Sequence, residues 1–132
     1  MQTSVLLSIK PHFAERIFCG IKRYEFRKVL FKNRTVKRII VYATAPVGKV
    51  IGEFEIESIL ELEPEALWEH TQEHSGIHKD YFDAYFDGRS TAYAIKVGRT
   101  TRYATPLELY SHFNVKQAPQ SFVYITHEKE LL

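Results

Sequence analysis

The sequence predicts a mixed α+β fold in which about six short strands form a partly closed β-barrel with short flanking helices. Two observations lead to this prediction. Six segments have the composition or the alternation of strands, and the helical segments between them are too few for a doubly wound sheet. The length of 132 residues, of which 45% are hydrophobic, suits one domain with one core over residues 1–132.

In the first half of the chain, a strand and a helix precede three further strands. Pro11 suits the first turn of the helix, and Gly20 is its expected end. Cys19, at the apolar end of this helix, is expected to be a small buried hydrophobe. The four strands are predicted at Ser4–Ile9, Arg23–Lys28, Lys37–Thr44 and Lys49–Leu60. Because a turn signal at Ala45–Gly48 joins the last two strands, these must be antiparallel.

Two of these strands have informative patterns. Lys37–Thr44 is rich in β-branched residues and is expected in the interior of the sheet. Lys49–Leu60 alternates, which predicts one apolar and one acidic face. The apolar face would hold Val50, Phe54, Ile56 and Leu60, and the other face Glu53, Glu55 and Glu57. Gly52 interrupts the apolar face and indicates a bulge or a close approach of another backbone.

The second half of the chain predicts three helices and two strands. Pro64 begins a helix that continues to about His74. Tyr81, Phe82, Tyr85 and Phe86 recur at helical spacing in the next helix, and such a stripe is typical of a core. Thr105–Glu108 has the pattern of a capping box with proline at the first helical position. The predicted elements are helices over 64–74, 78–87 and 105–111, and strands over 91–99 and 122–125.

The charges are distributed unevenly although the net charge is only +2. Residues 1–52 carry eleven Lys and Arg against two acids, and residues 53–87 carry eleven acids against one lysine. The asymmetry would suit a basic side that faces nucleic acid and an acidic side that faces a protein partner. Alternatively, the two blocks neutralise each other across the fold.

Composition also bears on the compartment. No apolar run approaches the ~20 residues that a membrane span needs, and the first residues lack the pattern of a signal peptide. The single cysteine, Cys19, excludes an internal disulfide and is compatible with a reducing compartment. We therefore expect a cytoplasmic protein without membrane association.

The most informative segment is Gly20–Arg27, where the first helix gives way to a strand. Because side chains alternate along a strand, Tyr24 and Phe26 should point to one side and Glu25 and Arg27 to the other. The aromatic pair can then anchor the core while the charged pair faces a cleft. Lys22, in the turn just before the strand, adds a second cation.

This segment resembles the signature of a known domain family. Its pattern is G-x-K-x-x-E-x-R, formed by Gly20, Lys22, Glu25 and Arg27. It is similar to that of the ASCH domain (activating signal cointegrator homology), a member of the PUA-like superfamily. Flanking segments also resemble the family, at Ser8–Pro11, Val41–Thr44, Pro46–Gly48 and Pro119–Phe122. The resemblance therefore covers nearly the whole chain.

The resemblance implies a PUA-like β-barrel with a cleft for RNA or a nucleotide-like ligand, used in regulating transcription or translation. Lys10, Lys22, Glu25 and Arg27 would form the polar wall of this cleft. The resemblance alone also brings Tyr42, Thr44 and Ser121 near it. An ionised Glu25 only accepts hydrogen bonds, which suits an exocyclic amino group, whereas the lysines and Arg27 suit phosphate. The alternative for Glu25 is an ion pair with one of these cations.

Two other functions stay open. Some small ASCH proteins resemble amidohydrolases of N4-acylated cytidine that use a threonine nucleophile, but Glu25 stands at that position here. Lys22 and Glu25 would be the catalytic residues of such a hydrolase, or of a ribonuclease. The third hypothesis is a protein-interaction module that uses the acidic segment 53–87. We favour binding over catalysis.

No metal or cofactor is expected. His70 and His74 stand four residues apart on a predicted helix, a spacing that can chelate a metal, but no third ligand accompanies them. The sequence also lacks the glycine-rich motifs of dinucleotide and nucleoside triphosphate sites.

Overall fold

The computed structural model describes residues 2–127 and has the predicted mixed α+β architecture. One six-stranded sheet is accompanied by four short helices, in the order of elements that the sequence predicts. The strands are β1 (Gln2–Ile9), β2 (Tyr24–Arg27), β3 (Arg38–Ala43), β4 (Lys49–Leu62), β5 (Ala92–Leu107) and β6 (Phe122–His127). The helices are α1 (Pro11–Phe18), α2 (Pro64–Thr71), α3 (Lys79–Tyr85) and α4 (Leu109–Phe113), and a 3-10 turn, Gln72–His74, follows α2.

The strand order across the sheet is β2-β5-β4-β3-β1-β6. β1 and β3 are parallel and the other neighbours are antiparallel, so β3 is interior and pairs antiparallel with β4, both as predicted. Among the described residues, no ladder joins the two edge strands β2 and β6. The sheet nevertheless curves enough for Arg27 on β2 to reach the carbonyl of Ser121, just before β6. The barrel is therefore partly closed, with a side chain across its gap.

The single apolar face predicted for Lys49–Leu60 is wrong. Val50, Phe54 and Leu60 belong to three different core clusters, and Glu53 is buried. The reason is that β4 changes register three times against β5, and each shift resets the alternation of side chains. The close approach of another backbone predicted at Gly52 is confirmed, because a Cβ there would lie 2.6 Å from the Thr101 carbonyl oxygen and also 2.6 Å from the Phe18 ring.

Two other local predictions are corrected. The proposed capping box at Thr105–Glu108 lies at the end of β5, where Leu107 pairs with Val50, and the helix begins only at Leu109. Ladder hydrogen bonds to β4 thus outweigh the local capping pattern. Cys19 is exposed. It lies two residues, or about 200°, beyond the buried Ile17 and therefore on the opposite side of the helix.

The position of α3 follows from one core cluster. Phe26 of β2 packs with Leu67 of α2 and with Phe82 and Phe86 at α3. The rings of Phe26 and Phe82 meet edge to face at a centroid distance of 5.2 Å. Because of this packing, α3 lies beside the segment Gly20–Arg27.

Candidate functional site

A cleft of about 250 Å³ opens beside the segment Gly20–Arg27. The ends of β1 and β2 and the helices α1 and α3 contribute to its walls. Its charged lining residues are Lys10, Lys22, Glu25 and Arg27. Its aromatic lining residues are Phe13, Phe26, Tyr81 and Tyr85. The cleft thus combines a polar wall with an aromatic wall.

Lys22 is almost completely buried, with 2% of its surface exposed. Its Nζ donates a hydrogen bond to the Ser75 carbonyl at 2.9 Å. The same atom lies 4.7 Å from the ring centroid of Phe26 and 5.4 Å from that of Phe13. A carbonyl and two aromatic faces therefore surround the amine and compensate part of the cost of burying its charge.

Burial lowers the pKa of Lys22 from 10.5 to about 8. The nearby Glu25 carboxylate opposes this change and raises the pKa, whereas the Arg16 guanidinium lowers it further. The lysine is therefore mostly protonated at neutral pH, yet it releases its proton more readily than an exposed lysine.

The turn around Gly76 holds Lys22 in place. Gly76 has a φ of +70°, and a Cβ there would lie 2.4 Å from Cβ of Lys22. Arg16 donates to the Gly76 carbonyl at 2.8 Å, and the Ser75 hydroxyl donates to the Ile77 carbonyl at 3.0 Å. The close contact explains why the position needs glycine.

Glu25 and Arg27 form an ion pair, with 3.2 Å between Glu25 Oε2 and Arg27 Nη1. Arg27 Nη1 also lies 3.5 Å from the Ser8 carbonyl, and Nη2 donates to the Ser121 carbonyl at 3.0 Å. The rings of Tyr24 and Phe26 lie 6.4 Å apart at an interplanar angle of 26°, and both residues belong to or pack against one core cluster. Phe26 also lines the cleft, so the predicted division into an aromatic and a charged side is only partial. Arg27 therefore fixes the Glu25 carboxylate and ties β2 to β1 and to the start of β6.

Lys10 lies at the exposed mouth of the cleft. Its Nζ donates to the Tyr81 hydroxyl at 3.3 Å. Tyr85 lies deeper, and burial raises the pKa of its hydroxyl, with the positive charge of Arg27 opposing that effect and the carboxylate of Glu25 adding to it. The site therefore has an inner group of charged residues and an exposed outer lysine.

The predicted site residues fall into two sets. Lys10, Lys22, Glu25 and Arg27 line one cleft together, and Ser121 contributes its carbonyl to Arg27. Within residues 2–127, Tyr42 and Thr44 are outside the lining of that cleft. Tyr42 packs against the core cluster of Leu6 and Ile40, and the Thr44 amide donates to the carbonyl of Ile9.

Sequence reasoning missed Tyr81, Tyr85, Phe13, Gln120 and Ser8, all of which line the cleft. The sequence predicts the aromatic stripe of α3 in the core. This is correct for its phenylalanines and partly for Tyr85, which packs against their cluster while it lines the cleft, but not for the exposed Tyr81. The difference between tyrosine and phenylalanine within the stripe could have predicted this, since a tyrosine hydroxyl favours a boundary with water. Gln120 and Ser8 are brought to the cleft by the sheet, which no local pattern reveals.

The acidic segment 53–87 is partly neutralised by the fold. Three of its glutamates on β4 pair with basic residues of neighbouring strands. These ion pairs are Glu53–Arg38 at 3.0 Å, Glu55–Arg99 at 3.6 Å and Glu57–Lys96 at 2.8 Å. A protein partner for this segment stays a prediction.

Within residues 2–127, no group of three or more His, Cys, Asp or Glu side chains is arranged to hold a metal ion. No helix in the same part of the chain has both the length and the apolar character for a membrane span.

Comparison with known proteins gives three related findings. The chain is 30% identical over 126 residues to the large ribosomal subunit protein uL22 of Ureaplasma parvum, which covers 92% of this chain and 39% of that protein. It is 29% identical over 129 residues to an ASCH domain-containing ribonuclease of Zymomonas mobilis, covering 94% of this chain and 85% of that protein. The crystal structure of ASCH from Zymomonas mobilis matches with a TM-score of 0.84 and 28% identity, covering 93% and 87% of the two chains.

The chain thus spans only about two fifths of the length of the uL22 relative, but most of the length of the ribonuclease. The family model of the ASCH domain matches residues 7–108, which include the whole of the Gly20–Arg27 segment and α3. On these grounds, the chain belongs to the ASCH domain family.

Proposed function

We propose that this domain binds RNA, or a nucleotide-like ligand, in the cleft around Lys22, Glu25 and Arg27. The observation that carries the proposal is the meeting of these three groups with Tyr81 and Tyr85 in one cleft of about 250 Å³. A cationic groove combined with exposed aromatic faces is the usual arrangement for binding single-stranded nucleic acid.

The contacts suggest a division of roles. Arg27 donates its hydrogen bonds to Glu25 and to the backbone carbonyls of Ser8 and Ser121. It therefore contributes mainly a fixed positive charge to ligand binding. Glu25 retains acceptor capacity for an exocyclic amino group of a base. Lys10 is exposed and can move from the Tyr81 hydroxyl to a phosphate oxygen at little cost.

Two relatives support an RNA ligand. The Zymomonas mobilis relative is named a ribonuclease, and the similarity extends over most of both chains. The similarity to part of a large ribosomal subunit protein supports a role in translation.

Fluorescence anisotropy with a labelled single-stranded RNA tests the proposal, at about 50 mM and about 200 mM salt. Lys10→Ala should weaken binding and reduce its salt dependence, because one phosphate contact is lost. Arg89→Ala is the matched control, since Arg89 is exposed and outside the cleft lining. Equal affinities for wild type, Lys10→Ala and a Lys22→Ala/Arg27→Ala double variant would refute the proposal.

A second candidate function is cleavage of the bound RNA. It is favoured by the lowered pKa of Lys22, about 8, and by the name of the Zymomonas mobilis relative. RNA supplies its own nucleophile, so the threonine that amidohydrolases need is not required. The ribose 2′-oxygen would attack the adjacent phosphorus while Glu25 accepts its proton. The bond to the 5′-oxygen would break, and Lys22 would protonate that oxygen.

The products would be a 2′,3′-cyclic phosphate and a 5′-hydroxyl. An RNA with a single 2′-deoxyribose at the cleaved position should resist, because the nucleophile is missing. Lys22→Arg should abolish cleavage while retaining a positive charge, since arginine does not deprotonate in this pH range. Cleavage that persists in a Glu25→Gln/Lys22→Ala double variant would reveal contamination and eliminate this candidate.

A further inference from the structure

Helix α3 divides its aromatic residues between two environments. Phe82 and Phe86 are buried, with 1% and 2% of their surface exposed, and pack in the core. Tyr81 and Tyr85, which directly precede Phe82 and Phe86 in the chain, line the cleft, and Tyr81 is 39% exposed. Residues four positions apart lie on the same face of a helix, so the two tyrosines form a continuous strip along the cleft.

The two tyrosine rings are arranged alike. They are nearly parallel, at an interplanar angle of 13°, with their centroids 6.4 Å apart. Each ring also has its own lysine, because Lys10 Nζ lies 5.5 Å from the centroid of Tyr81 and Lys28 Nζ lies 4.8 Å from that of Tyr85. Each tyrosine of the strip therefore has a cation near its ring, and an aromatic ring with a nearby cation suits one nucleotide with its base and its phosphate. Lys10 lines the cleft, whereas Lys28 lies outside its lining.

We infer that Tyr81 and Tyr85 form a platform for two successive bases, so that the ligand is a single-stranded oligonucleotide of at least two nucleotides. This inference rests on the proposed function and specifies its substrate class. Tyr85 would contact the inner base, beside Glu25 and Arg27, and Tyr81 the outer base, at the mouth where Lys10 lies.

Two magnitudes support this assignment. The volume of about 250 Å³ is below the range of roughly 300–1,000 Å³ of sites that enclose a whole drug-sized ligand. It suits one base with its sugar, and a second base would have to lie at the rim. The ring spacing of 6.4 Å also exceeds the ~3.4 Å between stacked neighbours in a helical strand. Two neighbouring bases that each stack on one ring must therefore lose their stacking on each other. Bases in a duplex stay stacked and paired, so a duplex cannot bind in this way.

The test measures the affinity of the wild-type protein for a ribonucleoside monophosphate, a dinucleotide and a single-stranded octamer, and for the same octamer in a duplex. We expect a gain in affinity from mononucleotide to dinucleotide and the weakest binding for the duplex. Tyr81→Ala should reduce dinucleotide affinity by roughly 5-fold to 150-fold, the range expected for loss of one stacking contact. It should leave mononucleotide affinity nearly unchanged, because the inner position is intact.

Two further variants separate stacking from other effects. Tyr81→Phe keeps the ring but loses the hydroxyl that accepts from Lys10, so its loss should be smaller than that of Tyr81→Ala. Tyr110→Ala is the matched control, since Tyr110 is 59% exposed and is outside the cleft lining. Thermal unfolding of each variant verifies that the fold is retained.

The outcomes distinguish this inference from the proposed function. If the octamer binds and Lys10→Ala weakens it, but Tyr81→Ala does not, the cleft binds RNA without the platform and the inference is overturned. Equal affinity for mononucleotide and dinucleotide, or for single strand and duplex, would also overturn it. If no RNA binds, the proposed function itself fails.

Discussion

Lys22 combines a positive charge with nearly complete burial, and the substitution Lys22→Met removes the charge while keeping an unbranched side chain. Burial lowers the pKa of Lys22 from 10.5 to about 8 in the folded protein. Between these two values the unfolded chain binds more protons than the folded one, so the stability of the wild type rises with pH in this window. Lys22→Met has no ionisable group at this position and should lack this pH-dependent rise in stability.

The size of the effect follows from the two pKa values. The displacement from 10.5 to about 8 corresponds to about 3 kcal/mol at about 1.4 kcal/mol per pH unit. Relative to Lys22→Met, the wild type should gain roughly 1 kcal/mol between pH 7 and pH 9, and roughly 2–3 kcal/mol by pH 10. The comparison isolates ionisation, because lost packing contributes equally at every pH.

Urea unfolding of both proteins at pH 7, 9 and 10 measures the free-energy difference. Lys116→Met removes a positive charge from an exposed lysine and controls for a general change in net charge. NMR of the Lys22 side chain gives an independent titration midpoint, expected near 8. A stability difference that is the same at all three pH values, with a midpoint near 10.5, would refute the assignment of Lys22 as a buried, proton-releasing lysine.

Three further predictions concern the same site. Gly76→Ala should destabilise the fold by about 2 kcal/mol or more in urea unfolding, because its Cβ would lie 2.4 Å from that of Lys22. Gly88→Ala is its control, with a φ of +78° and nothing within 4 Å, and should show only backbone strain of about 1 kcal/mol. Arg27→Ala should cost about 2–3 kcal/mol, because the buried Glu25 carboxylate loses its ion pair and keeps only the charge of nearby Lys22, and hydrogen exchange should quicken at residues 121–123. RNA affinity should fall between pH 7 and pH 9 as Lys22 loses its proton, whereas Lys22→Arg should show no such fall in anisotropy measurements.

The sequence predicts the order of the elements well, and it predicts that Glu25 and Arg27 lie together, because both depend on local patterns. The alternation in Tyr24–Arg27 is enough to assign Glu25 and Arg27 to one side of a strand, and the ion pair between them agrees with that assignment. The ASCH signature adds Lys22, whose burial no local pattern shows. The deep burial arises because the turn at Gly76 packs on it from more than 50 residues away.

The errors have a common physical origin in long-range pairing. At Thr105–Glu108 the local pattern favours a helix cap, yet β5 continues to Leu107 because β4 offers it hydrogen-bond partners. The alternation over Lys49–Leu60 fails for the same reason, since the bulges are determined by the partner strand. Periodicity also predicts a core position for Tyr81, which is exposed, because periodicity reports which residues share a face but not what covers that face.

The position of the cleft follows from the way in which the barrel fails to close. β2 and β6 are the two edge strands, and an open edge leaves backbone groups without ladder partners. Arg27 donates to the carbonyls of Ser8 and Ser121 across this gap, so one side chain replaces part of the missing ladder. A side chain spans the gap but does not fill it, and the space that remains beside it is the cleft. The geometry of the barrel and the polarity of the site therefore depend on the same residue. Arg27→Ala should impair stability and ligand binding together, whereas Lys10→Ala should impair binding alone.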